Sequence, residues 1–338
     1  MRDALSSQAL LIGGLTCFLF AAVGQASQGP RLPAITALPA EVQYDIEGGA
    51  LTVEAGLGPG PSFRAVIDTG MRDCIVSTRL AKERGLSGSG EVVIASPVGH
   101  IRAVPAGVHS IRLGQVVIDG VPLCIADPIA QLSSAAADSA RSGPDAWLGN
   151  GVLSLMVFET DPSRKRLVLA PPDSAPMRGG TPVPMDAARG RLEVRARANN
   201  AEDFTAILAT GVRGCLIPAA VARSLKLALG PERSVALPGG EAVRVAGAML
   251  KELRFGSAKI HDVPVLAALD EIPGLTDRTG VVGTDALMRF RIQISYARQQ
   301  AVFAAVSGAK PERQSRSERP TVQRRPSLPA PERGPRGM

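Results

Sequence analysis

Aromatic side chains are scarce in this chain: one Trp, two Tyr and eight Phe make up 3% of its 338 residues. That argues against the rows of stacking rings on which single-stranded nucleic acids bind, and no nucleic-acid partner is expected. Histidine is scarcer, with only His100, His109 and His261, none of them in an HExxH-type ligand spacing. Each reads as a surface or turn residue. There is no GxSxG nucleophile elbow and no GxxxxGK(S/T) phosphate loop, since LGPGPS at Leu57–Ser62 lacks the lysine. Cysteine is limited to Cys17, Cys74, Cys124 and Cys215. No CxxC or Cys/His spacing points to zinc, so neither metal nor other cofactor is expected. Buried structural thiols are the default reading of the last three, and a Cys74–Cys124 disulfide is the alternative.

Charge is unevenly spread. The net charge is +7, but the segment 307–338 carries eight basic residues against three acids. The remainder is close to neutral. This tail is rich in Pro, Arg, Ser and Gln without apolar periodicity, the composition of a disordered segment. It is read either as a solvated tail or as a contact for an anionic surface. At the other end, Ala9–Val23 is an apolar run of signal-peptide length, followed by small residues at Gly24 and Ala26. Residues 1–26 are therefore expected to be a signal peptide, and the protein to be exported, periplasmic or secreted. An uncleaved N-terminal membrane anchor is the alternative, because Asp3 offsets Arg2.

Much of what the sequence does contain is a repeat. FRAVIDTGMRDCIVSTRLAKERGL (Phe63–Leu86) stands beside FTAILATGVRGCLIPAAVARSLKL (Phe204–Leu227) at an offset of 141 residues. The hairpin pattern from Ser110 recurs from Glu252, and WLGNGVLSLM from Trp147 recurs as VVGTDALMRF from Val281. The first copy holds an extra Ser/Ala-rich stretch before Trp147. Two homologous lobes follow, at 40–170 and 191–306, joined by a Pro/Gly-rich linker at 171–190. Short β-branched runs between Gly, Pro and Asn turns predict an all-β fold, with helices at Thr78–Arg84 and Pro218–Lys226.

The ordered set VIDTG (Val66–Gly70), SPVGH (Ser96–His100) and WLG (Trp147–Gly149) is matched by ILATG (Ile207–Gly211), LPGGE (Leu237–Glu241) and VVG (Val281–Gly283). This arrangement resembles the retropepsin-like aspartic peptidases. The resemblance implies two pseudo-symmetric acid-protease β-barrel lobes with a cleft between them. It implies a catalytic Asp68, site-supporting turns at Thr69, Gly70, Thr210 and Gly211, and substrate-binding flaps at Val98, Gly99, His100, Gly239 and Gly240. A peptide or protein would be the ligand, held by strand addition under the flaps.

The chemistry so implied needs two carboxylates that share a proton, one acting as base toward water and the other as acid toward the carbonyl. Here the counterpart of Asp68 is Ala209, although Thr210 and Gly211 are kept. An exposed lone carboxylate is almost wholly ionised at neutral pH, which leaves nothing to protonate the carbonyl oxygen. Hydrolysis then needs a second acid, brought by homodimerisation of first lobes or by a substrate or partner. The alternatives are a pseudopeptidase that binds peptides without cutting them, and an envelope scaffold docked by its basic tail. Asp68 as an ordinary turn Asp is the bland reading. Arg72 and Arg213, matched across the repeat, read as structural ion-pair formers or as substrate contacts.

Overall fold

The computed structural model describes residues 33–97, 99–127, 144–237 and 242–306. The expected signal peptide, most of the extra Ser/Ala-rich stretch and the basic tail lie outside them. The described residues form twenty-one strands and four short helices, an all-β fold with two helices per lobe.

Local sequence accounts for where the helices stop. Ser77 caps the first, its Oγ accepting from the Leu80 N–H at 3.1 Å. The helix spans Thr78–Glu83, with Arg84 as its C-cap and Gly85 at φ +65° turning the chain away. In the second lobe the helix is Ala219–Ser224 and Pro218 is its N-cap. It ends short of the expected Lys226 because that residue takes a left-handed φ of 47°. The two further helices, Asn150–Leu153 and Thr284–Leu287, each follow a glycine, Gly149 or Gly283.

Each lobe builds the same crossing. Phe63–Ile67 runs parallel to Ala146–Leu148, and Glu202–Leu208 runs parallel to Thr279–Val282. Both first strands end in side chains with almost no solvent exposure. Asp68 and Ala209 are the next residues after these strands. Their N–H groups donate to Leu148 O and Val282 O respectively, each at 3.0 Å.

The lobes are joined by one antiparallel sheet of six strands. Its order is Ala40–Glu47, Arg166–Ala170, Val157–Asp161, Phe290–Ser295, Gln300–Ala305 and Thr181–Asp186. The first three strands belong to one repeat and the last three to the other, so a pseudo-two-fold axis passes between Val157–Asp161 and Phe290–Ser295. Three buried rings sit in the second half of the core. Phe255 stacks on Phe303 at 4.5 Å, and Phe290 meets both edge-on at 5.7 and 5.6 Å.

The expected linker at 171–190 therefore includes a strand. Pro182 and Pro184 obscured it in the sequence, since proline cannot donate within a sheet. The strand lies at the sheet's edge: Thr181 to Pro184 pair with Gln300–Ala305, and Met185 and Asp186 turn off to pair with Val194 and Glu193. Val183 between the prolines and Met185 after them are buried.

Candidate active site

The two Thr-Gly turns meet tip to tip. Thr69 Oγ1 donates to Leu208 O at 2.6 Å, and Thr210 Oγ1 donates to Ile67 O at the same distance. Each hydroxyl also accepts from the other turn: Thr69 N–H donates to Thr210 Oγ1 at 3.2 Å and Thr210 N–H to Thr69 Oγ1 at 3.3 Å. Both threonines are at most 2% exposed. Around this centre the symmetry continues outward. Leu51 N–H donates to Thr210 O at 2.8 Å and Leu192 N–H to Thr69 O at 3.1 Å. Asn150 Nδ2 donates to Gly190 O at 3.0 Å, and Thr284 Oγ1 donates to Gly49 O.

Arg72 and Arg213 belong to the same brace. The stem of Arg72 packs over Gly190 and that of Arg213 over Gly49, each where a Cβ would collide with it. Both glycines have positive φ, +73° and +87°, which suits their tight turns. The guanidiniums point outward, 3.2 Å from Asp73 and 3.7 Å from Asp285.

Asp68 is 3% exposed, not the exposed carboxylate expected from a turn. Its Oδ1 accepts from Gly70 N–H at 2.8 Å, and Gly211 of the other lobe also donates to it from the backbone. Burial outweighs these bonds and raises its pKa from 3.8 to about 6. Opposite stands Ala209, 0% exposed. A Cβ on Gly211 would lie 2.8 Å from the Asp68 Cβ, and one on Gly70 would lie 2.9 Å from the Ala209 Cβ. Ala209 therefore holds the backbone position of a second aspartate, and only the carboxyl is missing. Glu202, Asp203 and Asp285 do not replace it: Asp203 is bound by Arg195 and Arg197, Glu202 by Arg278, and Asp285 faces Arg213.

Above Asp68 lies a cleft of about 480 Å³. Its lining is mostly apolar and includes Val66, Met71, Trp147, Leu216, Val243 and Leu266. The first expected flap is a hairpin of Val92–Ser96 and Gly99–Leu113, with Ser96 opposite Gly99. Pro97 at its tip packs over Gly70, the ring Cγ 2.5 Å from the Cβ that glycine lacks. Gly99 is buried, while His100 is exposed and reaches toward Gly274 of the second lobe. Val98 lies outside the described residues. The second flap is a hairpin of Glu232–Ala236 and Ala242–Phe255, and its expected tip, Gly239 and Gly240, also lies outside them.

The three cysteines among the described residues, Cys74, Cys124 and Cys215, are free. Cys74 pairs in register with Leu123, and Cys124 with Ile75. Cys74 belongs to the main core whereas Cys124 packs on the cluster of Met71, Ile75 and Trp147. The two thiols thus serve opposite faces of the sheet and are not bridged. Burial pushes Cys74 and Cys215 up to about 12, which keeps them as inert thiols. Among the described residues no group of acids, histidines and cysteines could hold a metal ion.

Sequence reasoning overlooked the support behind Asp68. Asn150 donates to Thr69 O at 3.2 Å and accepts from the buried Tyr296 hydroxyl. This ties the first turn to the sheet between the lobes. A signal existed: the repeat sets Asn150 against Thr284, two polar residues after a glycine, and both bond across the lobes.

The Thr pair offers a stability test. In Thr210→Val the shape is kept but Thr69 N–H and Ile67 O are stranded in a buried site. The expected loss is about 2–4 kcal/mol, measured by urea unfolding. A loss below 1 kcal/mol would mean that the turns are held by packing alone.

Comparison with known proteins agrees with this geometry. A family model described as Aspartyl protease matches residues 53–152 and 194–286, more than half of the chain. The protein belongs to the aspartyl protease family. Among solved structures, the aspartic proteinase from Irpex lacteus superposes with a TM-score of 0.51 at 13% identity, covering 80% of this chain and 98% of that one. That likeness is one of fold. No curated protein matches the chain.

Proposed function

We propose that the protein is a peptide-binding pseudopeptidase, which holds extended apolar segments in the cleft between its lobes without cutting them. The carrying observation is Ala209 opposite Asp68 inside an otherwise complete frame. A single carboxyl is base or acid at any moment, never both. With a pKa of about 6 it changes from one to the other near neutrality, but it cannot take a proton from water while giving one to the carbonyl oxygen. The apolar cleft under two hairpins suits an extended chain with apolar side chains.

Hydrolysis by the wild type would need an acid from outside. Homodimerisation of first lobes would place a second Asp68 there only after displacing the chain's own Thr210 from Thr69. A carboxylate carried by the bound substrate or partner would disturb less. With the signal peptide expected at 1–26, the cleft would work in the periplasm or outside the cell. The basic tail at 307–338 would hold the protein near an anionic surface.

The test is incubation with a diverse peptide mixture from pH 4 to 7, read by mass spectrometry, with Asp68→Asn in parallel. Apolar peptides are expected to co-purify with the folded protein and to remain intact. Cleavage that disappears in Asp68→Asn would overturn the reading and require a second acid.

A further inference from the structure

We infer that the cleft is a receptor for a primary ammonium group, seated on Asp68 with its apolar substituent lying along Trp147 and the aliphatic wall of the second lobe. The inference rests on the reading of the cleft as a binding site and specifies what sits at its floor.

The argument begins with what the cleft contains. Among the described residues its lining holds two carboxylic acids, Asp68 and Glu47, and one thiol, Cys215, which burial keeps protonated. No Lys, Arg or His is among the described residues that line it. Glu47 is at the rim and already bonded to Arg64 at 3.2 Å. Asp68 is at the floor, 3% exposed, and among the described residues its carboxyl has the two glycine N–H groups for partners. Two amides stabilise a carboxylate but do not neutralise it. The nearby cations are turned elsewhere, with Arg72 on Asp73 and Arg213 facing Asp285.

In a paired site the second carboxyl shares the proton and limits the charge to one over two groups. Here a methyl replaces that partner, so the ionised site holds a whole negative charge among apolar walls. A buried charge needs a counter-charge. An ammonium supplies it along with three donors, of which Asp68 can accept on the oxygen faces left by the glycines.

Every group packed around Asp68 bears on how binding responds to pH. The second-lobe turn brings Thr210 and Gly211, and the first flap brings Ser96 and Pro97, all uncharged. Behind the turn, the hydroxyl of Tyr296 is raised by burial and by Asp68 itself, so it stays protonated. His100 on the flap is exposed and does not line the cavity. Glu47, the remaining acid, is at the rim with its charge met by Arg64. An ammonium therefore binds the ionised floor and competes with one proton below pH 6. A neutral carbonyl would do the reverse, accepting from protonated Asp68 and weakening as pH rises.

The experiment uses Trp147, the chain's one tryptophan, as a fluorescent reporter in the full-length protein. Probes are n-hexylamine and 1-hexanol, and a short apolar peptide in three forms: free N-terminus, N-acetylated, and N-acetylated with an internal lysine. At pH 7.5 hexylamine is expected to bind about tenfold or more tightly than hexanol, and the advantage to vanish by pH 4.5 as Asp68 takes its proton. Asp68→Asn should abolish the advantage, with circular dichroism to show that the variant is folded. The peptide forms reveal whether a chain terminus or a lysine is the source of the ammonium.

Equal binding of amine and alcohol across the pH range in wild-type protein would overturn the ammonium site. Binding of the acetylated, lysine-free peptide would then leave the peptide-binding reading standing. Capture of hexylamine with no peptide bound would have the opposite meaning: the ammonium site stands and the peptide reading fails. Binding of none of the probes would overturn both.

Discussion

Ala209→Asp is expected to convert this protein into a working peptidase. The position is prepared for the change. Ala209 hangs from the same backbone bond as Asp68, N–H to Val282 O at 3.0 Å against N–H to Leu148 O at 3.0 Å. Its Cβ stands as close to the Gly70 site as the Asp68 Cβ does to Gly211. The introduced carboxylate would thus meet Gly70 N–H as Asp68 meets Gly211 N–H, with the Thr69–Thr210 brace already formed. Two carboxyls at that separation share one proton, and one site then holds both an acid and a base. The gain in cleavage rate over wild type should be on the order of 10²–10⁴, greatest at acid pH where one proton is retained.

Two controls give this result its meaning. Ala209→Asn has the same shape but no acid, and should stay inactive. Asp68→Asn in the Ala209→Asp background should return activity to the wild-type level. A folded Ala209→Asp protein with no cleavage from pH 3 to 7 would shift attention to Pro97. Its ring lies over Gly70, where the attacking water needs room. The combination with Pro97→Ala would then decide whether that ring is the obstacle.

The pairing of Asp68 with Ala209 was legible in the sequence because the repeat fixes it arithmetically. An offset of 141 that aligns DTG with ATG and Cys74 with Cys215 leaves no freedom in what faces what. The two-lobe β architecture was legible for the same reason, since paired strand patterns in the same order constrain the topology twice. Other features depend on neighbours distant in the chain. Asp68 reads locally as a turn residue open to water, and its burial comes from Gly211, Ala209 and Pro97 closing over it. Asn150 looks like an ordinary helix start until Tyr296, 146 positions later, arrives at its side-chain oxygen. The strand Thr181–Asp186 was hidden because its prolines mark a loop everywhere except at a sheet edge.

Asp68→Asn is the second variant with a large expected effect, this time on stability, and its sign depends on pH. The folded-state pKa of Asp68 is about 6, against 3.8 for the free side chain. Between those values the native state binds a proton that the unfolded state has lost. Stability contributed by this group is therefore fully present below pH 3.8, declines as pH rises, and is lost above pH 6. A displacement of about two pKa units corresponds to about 3 kcal/mol. Wild type alone would not reveal it, because several acids act in the opposite sense. Hydrogen bonds from Arg197 and Arg195 hold Asp203 well below the usual carboxylate range, and Arg244 lowers Asp270. These pairs weaken as pH falls, so they mask the trend. The difference between wild type and Asp68→Asn removes them, since both proteins carry the same surface. An Asn in that place presents an amide to one of the two glycine N–H groups, a fixed cost independent of pH. The expected observation is a relative stability that swings by about 3 kcal/mol in favour of the variant between pH 3.5 and pH 7.5, measured by urea unfolding at several pH values. A flat difference would mean that Asp68 is solvated or neutralised in the native protein. The ammonium site inferred above would then lose its physical basis.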